Sequence, residues 1–342
     1  MGSIRAFKAA FALTKKETAF GQAINNAVLL DMLKWNDFEQ SKYETKYRTD
    51  ADEANYADME TEHEVESRRG SLSRKLRASV ESAASFLIMQ QGNLVTTGSG
   101  DPWTHSLRNK QVFTLNPPSF AFAEGLDSAG TTATFTGYKG CVIDQVDFQI
   151  DGQGPIMQTV VLKDDGSETD ESAYSFPTAF SPVNRLLGSQ AVLKYGPAGG
   201  AFTDITSLLE TAKITSTSAI VEPKRSAAGI YVTEYQYGDK HPALAMQFLI
   251  KADKSHDIYK NYKGTANKGM IQLIITKSAT RLMQLNISQC VFNAEPKHGG
   301  QEPQLEVIVL PEANATDGTS ASALSPCLWT FKTGNSAYLV AA

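Results

Sequence analysis

The chain has 342 residues, 42% hydrophobic and 20% charged, with a formal net charge of −5. That length supports a large core in one or two domains, and the acidic balance argues against a surface built to grip nucleic-acid phosphates, which needs an excess of Lys and Arg. Cys141, Cys290 and Cys327 are too far apart for a C-x-x-C motif, so neither a zinc site nor a disulfide framework is expected; no apolar run approaches the roughly 20 residues of a membrane span.

In chain order, residues 1–20 place Ile4, Phe7 and Phe11 at helical spacing among Arg5, Lys8, Lys15 and Lys16. This predicts a short helical arm that docks on its own fold or on a neighbour. Its apolar run, Ala9 to Leu13, is too short for a signal peptide, and Ala6 breaks the myristoylation pattern, so a soluble cytosolic product is expected. Residues 23–38 fit a short helix or a strand equally. Glu60, Glu62, Glu64 and Glu66 would form one row in an extended strand, and a solvated face is the expected reading of such a row. His63-Glu64 is not part of H-E-x-x-H.

Ser71 to Gln91 is the predicted helix. Ser71 would cap it, and Leu72, Leu76, Val80, Ala83, Ala84 and Leu87 would form its apolar stripe, with Gly92 as the stop. Leu94 to Arg108 reads as a Gly-rich loop without a phosphate-binding pattern, and Gln111 to Leu115 as a short strand. From Val142 to Asp151 the residues alternate. Val142, Val146, Phe148 and Ile150 share one face with Asp144, while Gln145, Asp147, Gln149 and Asp151 share the other. Period two marks a strand with one buried and one wet face. Asp151 to Pro155 is turn chemistry, and Ile156 to Lys163 is the returning strand. The wet face is uncharged or acidic and carries no catalytic trio.

Residues 164–171 form an acidic run without the ligand order of a calcium loop, which predicts a flexible, solvated excursion. Strands follow at Gln190 to Tyr195, Leu209 to Val221, Ile230 to Tyr237, Ala243 to Lys251, Gly269 to Thr276, Leu282 to Phe292 and Leu305 to Leu310. The last is continuously apolar and expected to be buried. KYGPAGGAFTDIT, starting at Lys194, reads as a hairpin turn. The basic loop 251–268 mixes Lys254, Lys260, Lys263 and Lys268 with Tyr259 and Tyr262. Such interleaving suits single-stranded nucleic acid, but without Arg forks a solvated loop or a protein contact is expected. A Ser/Ala/Thr-rich link at 313–325 precedes a tail holding Trp329, Phe331, Tyr338 and Leu339.

The five histidines stand at no metal-ligand spacing, and neither G-x-S-x-G nor a strand-to-helix G-x-G-x-x-G occurs. No enzyme, cofactor or metal site is expected. The sequence predicts a mainly β fold with one packed helix at about 71–91. An arm at 1–20 leads into a β domain at 21–310, with an extension at 311–342. Two long alternating strands, one in each half, suggest an internal duplication of about 110–180 and 190–310.

Several pieces bear on a family. They are Ala19-Phe20-Gly21, the acidic stretch before Gly70-Ser71, Trp103-Thr104-His105, QVFTLNPPSF from Gln111, and above all Tyr138-Lys139-Gly140-Cys141-Val142 leading into the alternating strand. ITSLLETAKITSTSAIVEP and LNISQCVFNAEP add to them. In this layout, over residues 20–310, the chain resembles the tail tube (major tail) proteins of long-tailed bacteriophages. The resemblance implies a β-sandwich or barrel-like sheet with a packed helix, and a ring of six copies, or three if the halves are duplicated. The rings would stack into a hollow tube in the virion, made in the bacterial host cytoplasm. Partners would be the chain itself, other tail proteins and DNA passing through the lumen without specific binding, with no membrane. It further implies that Gln145, Asp147, Gln149 and Asp151 face the lumen, while the arm and the acidic loop touch neighbours. Other β-rich virion parts (sheath, tail terminator, baseplate) are the nearest alternative. A glycan-binding adhesin-like protein is the more distant one, since Trp35, Trp103 and Trp329 are scattered.

Overall fold

A computed structural model describes residues 8–17, 19–21, 29–34, 42–51, 60–91, 94–108, 116–127, 134–170, 185–218, 220, 224–225, 231–237, 243–297, 302–312 and 327–334. The expected strand at 111–115, the link at 313–325, and Trp35, Tyr338 and Leu339 lie outside them. The first strands are β1 (Lys8–Lys16), β2 (Leu29–Lys34), β3 (Lys42–Ala51) and the 18-residue β4 (Glu60–Arg77). After helix α1 (Val80–Gln91) come β5 (Leu94–Thr97), β6 (Trp103–Arg108), β7 (Phe120–Asp127), the 18-residue β8 (Thr134–Asp151) and β9 (Met157–Asp164). Next are β10 (Glu168–Asp170), β11 (Ala191–Pro197), β12 (Thr203–Asp204), β13 (Leu209–Thr217), β14 (Lys224–Arg225), β15 (Val232–Glu234) and β16 (Ala243–Lys251). A short helix α2 (Asp257–Tyr262) precedes β17 (Gly269–Ser278), the 17-residue β18 (Arg281–Lys297), β19 (Gln304–Pro311) and β20 (Leu328–Thr333). The fold is therefore mainly β, as expected.

The long strands organise the sheets because each changes partners along its length. β18 pairs with β17 and β20 over its first half and with β19 over its second. One layer thus runs β4-β9-β8-β13-β16-β19-β18, with β3 on the first part of β4. The other runs β12-β11-β17-β18-β20-β6-β5. β8 repeats the device. Its second half lies inside the first layer, while its first half pairs with β7 and β10 in a smaller sheet that also holds β1 and β2.

Between the layers lies α1, touching β8 of one and β6, β18 and β20 of the other. Phe86, Leu87, Ile88 and Met89 are all buried. A helix apolar on every side belongs inside a core, and the layers meet around it, with Phe148 and Trp329 rings 6.0 Å apart. Both helix ends are tied down. Ser79 Oγ accepts from the Ser82 amide (3.0 Å) and Ser82 Oγ from the Ser79 amide (2.9 Å), a reciprocal cap. Glu81 pairs with Arg281 at 2.9 Å, and the same guanidinium grips Asp101 at 2.6 Å. At the far end Gln90 exchanges hydrogen bonds with Ser216, and the Tyr237 hydroxyl donates to the Gln90 carbonyl (2.6 Å).

The structure corrects several expectations. The helix is Val80–Gln91, not 71–91, because Ser71 to Arg77 continue β4. There Leu72, Arg74 and Leu76 point inward and Ser71, Ser73, Lys75 and Arg77 outward, a period of two that the inward Arg74 disguised. Residues 8–16 are a strand rather than a helical arm, since pairing with β2 and β7 decides their form. Residues 94–108 form the β5–β6 hairpin rather than a loop. Residues 328–333, set apart in sequence as an extension, are an inner strand between β18 and β6. Leu305 to Leu310 is not continuously buried: Ile308 and Leu310 are 38% and 52% exposed.

Gly70 lies where β4 passes the buried Asp164 carboxylate, and a Cβ there would overlap that carboxylate. Replacing Gly70 with Ala should therefore cost about 2 kcal/mol or more, whereas Ser79→Ala, which removes one cap, should cost about 1 kcal/mol. Urea unfolding of the two variants would check both the values and their order.

Candidate functional site

The candidate site is the solvent face of the first layer, centred on β8. A β-bulge at Asp144 sets it up: Ile143 pairs with Leu162 and Gln145 with Val161, so β8 spends one extra residue against β9. Before the bulge Cys141 and Ile143 face the main core; after it Val146, Phe148 and Ile150 do. This corrects the expected face of Val142. It lies on the opposite side from Val146 and is buried by Val232 and Tyr235 in a separate small cluster. Asp144, on the bulge, pairs with Lys163 at 3.1 Å.

Gln145, Asp147, Gln149 and Asp151 do share one face, the one turned away from the core, with Gln149 and Asp151 exposed and Gln145 and Asp147 half-buried. Gln145 Nε2 donates to Asp147 Oδ2 (2.7 Å). Register carries the face across seven strands: Arg77, Met157, Gln149, Lys213, Gln247, Ile308 and Asn293 form one row. A parallel row holds Asp151, Thr211, Leu249, Glu306 and Glu295. The face is dished, with a hollow of about 340 Å³ across β8, β13, β16 and β19.

Its electrostatics differ from the expected uncharged or acidic lining. β8 contributes only Gln and Asp, but neighbouring strands bring Lys75, Arg77, Lys213 and Lys297. Several cations are neutralised locally. Lys297 pairs with Glu306 (2.6 Å), which Gln247 also contacts (2.6 Å). The Lys297 ammonium, first, and Gln247 hold the Glu306 carboxyl below its usual range. The result is a mixed, nearly balanced surface. Cross-strand neighbours make it so, and they are invisible in a single strand's sequence.

The expected solvated excursion at 164–171 is also corrected over its described part. Asp164 and Asp165 are buried, and so is Glu17 at the end of β1. Glu17 Oε1 accepts from the Gly140 amide (3.2 Å) and Oε2 from that of Gly21 (3.1 Å). Asp165 Oδ1 accepts from the Ser167 amide (2.7 Å), and the Tyr235 hydroxyl donates to the Asp164 carbonyl (2.6 Å). These carboxylates thus join the small sheet, β9 and the segment around β15. Tyr262 of the basic loop is likewise buried, its ring edge-on to Phe292 at 5.1 Å, so it offers no stacking platform. Among the described residues no group of three or more His, Cys, Asp or Glu is placed to hold a metal ion, and no helix is long and apolar enough to cross a membrane.

No known protein family matches the chain, and no curated protein does either.

Burial pushes the carboxyls of both Glu17 and Asp165 above their ordinary values, 4.5 and 3.8. An acid whose folded pKa is raised is favoured by folding in its protonated form. Its contribution is complete below the unfolded value and lost as pH rises through the folded one. Glu17→Gln, neutral throughout, should therefore flatten the decline in thermal stability as pH rises above 4.5. Parallel melting curves of variant and parent over that range would refute the role given to Glu17.

Proposed function

We propose that the chain is a structural, non-catalytic virion protein: a tail tube protein that self-assembles into stacked rings around a lumen through which phage DNA passes. The observation that carries this reading is the dished, largely polar face of seven strands, which no other strand or helix among the described residues covers and which is bounded by open edges. Among the described residues, the 72–77 stretch of β4 has a strand partner on only one side, and so does the 291–297 stretch of β18. Open edges invite pairing with another chain, and a closed ring removes them all at once. Copies joined edge to edge would line a channel with Gln145, Asp147, Gln149 and Asp151. A nearly balanced lining of amides and locally paired charges gives phosphates little net attraction, so DNA would slide rather than stick.

The ring would hold six copies, or three if the halves 110–180 and 190–310 are repeats. The long partner-changing strands β8 and β18, one in each half, favour the repeat. Further partners would be other tail proteins. The protein would be made in the host cytoplasm and reside in the virion.

Negative-stain electron microscopy over a concentration series should show hollow rings or tubes of uniform width. A monomer at every concentration, with or without the phage's tail-initiating proteins, would overturn the assembly reading. With tubes in hand, Asp147→Lys combined with Asp151→Lys should leave them intact and slow DNA passage; unchanged infectivity would remove these residues from the lumen.

A further inference from the structure

A second hollow lies on the other layer, between the β11–β12 hairpin and α2. It measures about 480 Å³, and Tyr195, Tyr262, Asp257, Asn261, Asn267 and Lys268 line it. Nothing in the assembly reading uses it.

Both phenol rings are fixed. Tyr195 and Tyr262 are each 6% exposed. Tyr195 packs on His256 with centroids 5.7 Å apart, and Tyr262 stands edge-on to Phe292. His256 Nδ1 accepts from the Ile258 amide (3.2 Å), and burial lowers its pKa against the opposing pull of Asp257 and Asp253. Burial, and after it the nearby Asp257 carboxylate, raises the pKa of Tyr195, while Asp257 also contributes at Tyr262. The carboxylate shares the lining of the hollow with both rings.

The lining is rich in acceptors. Lys268, at the rim, is held by Glu312. The Asn267 amide nitrogen donates to the Asn261 backbone carbonyl (2.7 Å), which leaves its side-chain oxygen as an acceptor and one N–H as a donor. Asp257 has no cationic partner among the described residues. A carboxylate without an ion-pair partner among the described residues, beside two phenol oxygens and two carboxamides, favours a cation over an anion, since the one cation of the lining, Lys268, is already paired with Glu312. These oxygens suit a group with several N–H donors and a positive charge, whose lost hydration they replace with charge-assisted hydrogen bonds.

We propose that this pocket binds an alkylammonium or guanidinium group. Two sources share that chemistry: a free di- or polyamine, and a Lys or Arg side chain of a second copy. The proposal stands independently of the tube reading.

Agmatine, which carries both groups, is the probe. Titrated into protein with ¹³C-labelled tyrosines, it should shift the Tyr195 and Tyr262 ring signals saturably. Asp257→Asn should weaken binding about tenfold or more, the share of one charge-assisted contact. Asp253→Asn, at an exposed carboxylate that bonds Ser255 outside the pocket lining, should leave it unchanged. Tyr262→Phe, which removes only an oxygen, should weaken binding severalfold and serves if Asp257→Asn does not fold. No saturable shift, or equal binding in the parent and in whichever of these two variants folds, overturns the proposal. Sedimentation with and without agmatine separates the sources. Weakened self-association assigns the pocket to a neighbour's side chain, and unchanged self-association with bound agmatine assigns it to a free amine.

Discussion

Two strands long enough to belong to two sheets each constrain everything else. At about 3.3 Å per residue, β8 and β18 are far longer than the strands of most globular domains. β4 is as long but keeps to one layer, whereas β8 and β18 each pass from one set of partners to another. β18 turns the two layers into a sandwich. β8 ties that sandwich to the small sheet. The bulge at Asp144 follows from this second role. Before it, β8 buries Cys141 and Ile143 in the main core while Val142 serves the small cluster with Val232 and Tyr235; after it, the alternation is reset so that Val146, Phe148 and Ile150 continue the main core.

The sandwich is filled by a helix rather than by side chains alone. Facing sheets normally meet about 10 Å apart; here α1 is inserted between them and its apolar side chains stay dry. That demands polar anchoring at the helix ends, supplied by Ser79 and Arg281 at one and by Gln90, Ser216 and Tyr237 at the other. With the interior committed in this way, the polar side of the first layer is left facing outward. Its composition is set by solvent and by whatever approaches it.

Period-two stretches were legible in the sequence wherever they were local. The β8–β9 hairpin, β13, β16, β17 and β18 stand close to where alternation puts them, and the four polar residues of β8 do share a face. Three kinds of information were not local. Leu72, Leu76 and Val80 satisfy helical spacing and Leu72, Arg74 and Leu76 satisfy strand spacing; only pairing with β9 decides between them. The bulge at Asp144 is a one-residue insertion with no composition signal. The cations of the candidate face come from β4, β13 and β18, each more than 50 residues away from β8 in sequence; pairing puts β13 directly beside β8 and β4 beyond β9 in the same layer. Asp164 and Asp165 misled for a related reason: acidic residues in a turn read as solvated, and their burial depends on β1 and β15 arriving beside them.

The position of β20 has a consequence for how the protein comes into being. Its residues lie between β6 and β18, and Thr333 reaches back to the buried His105, 228 residues earlier. A ribosome emits β6 long before β20. Until residues 328–333 emerge, one flank of α1 is uncovered and the second layer is two unconnected pieces. Closure of the second layer thus waits on synthesis of residues 328–333, and until then the side of α1 that packs on β20 has no cover from that strand. A chain that stops short of β20 would carry an open groove along α1 where the second layer should close.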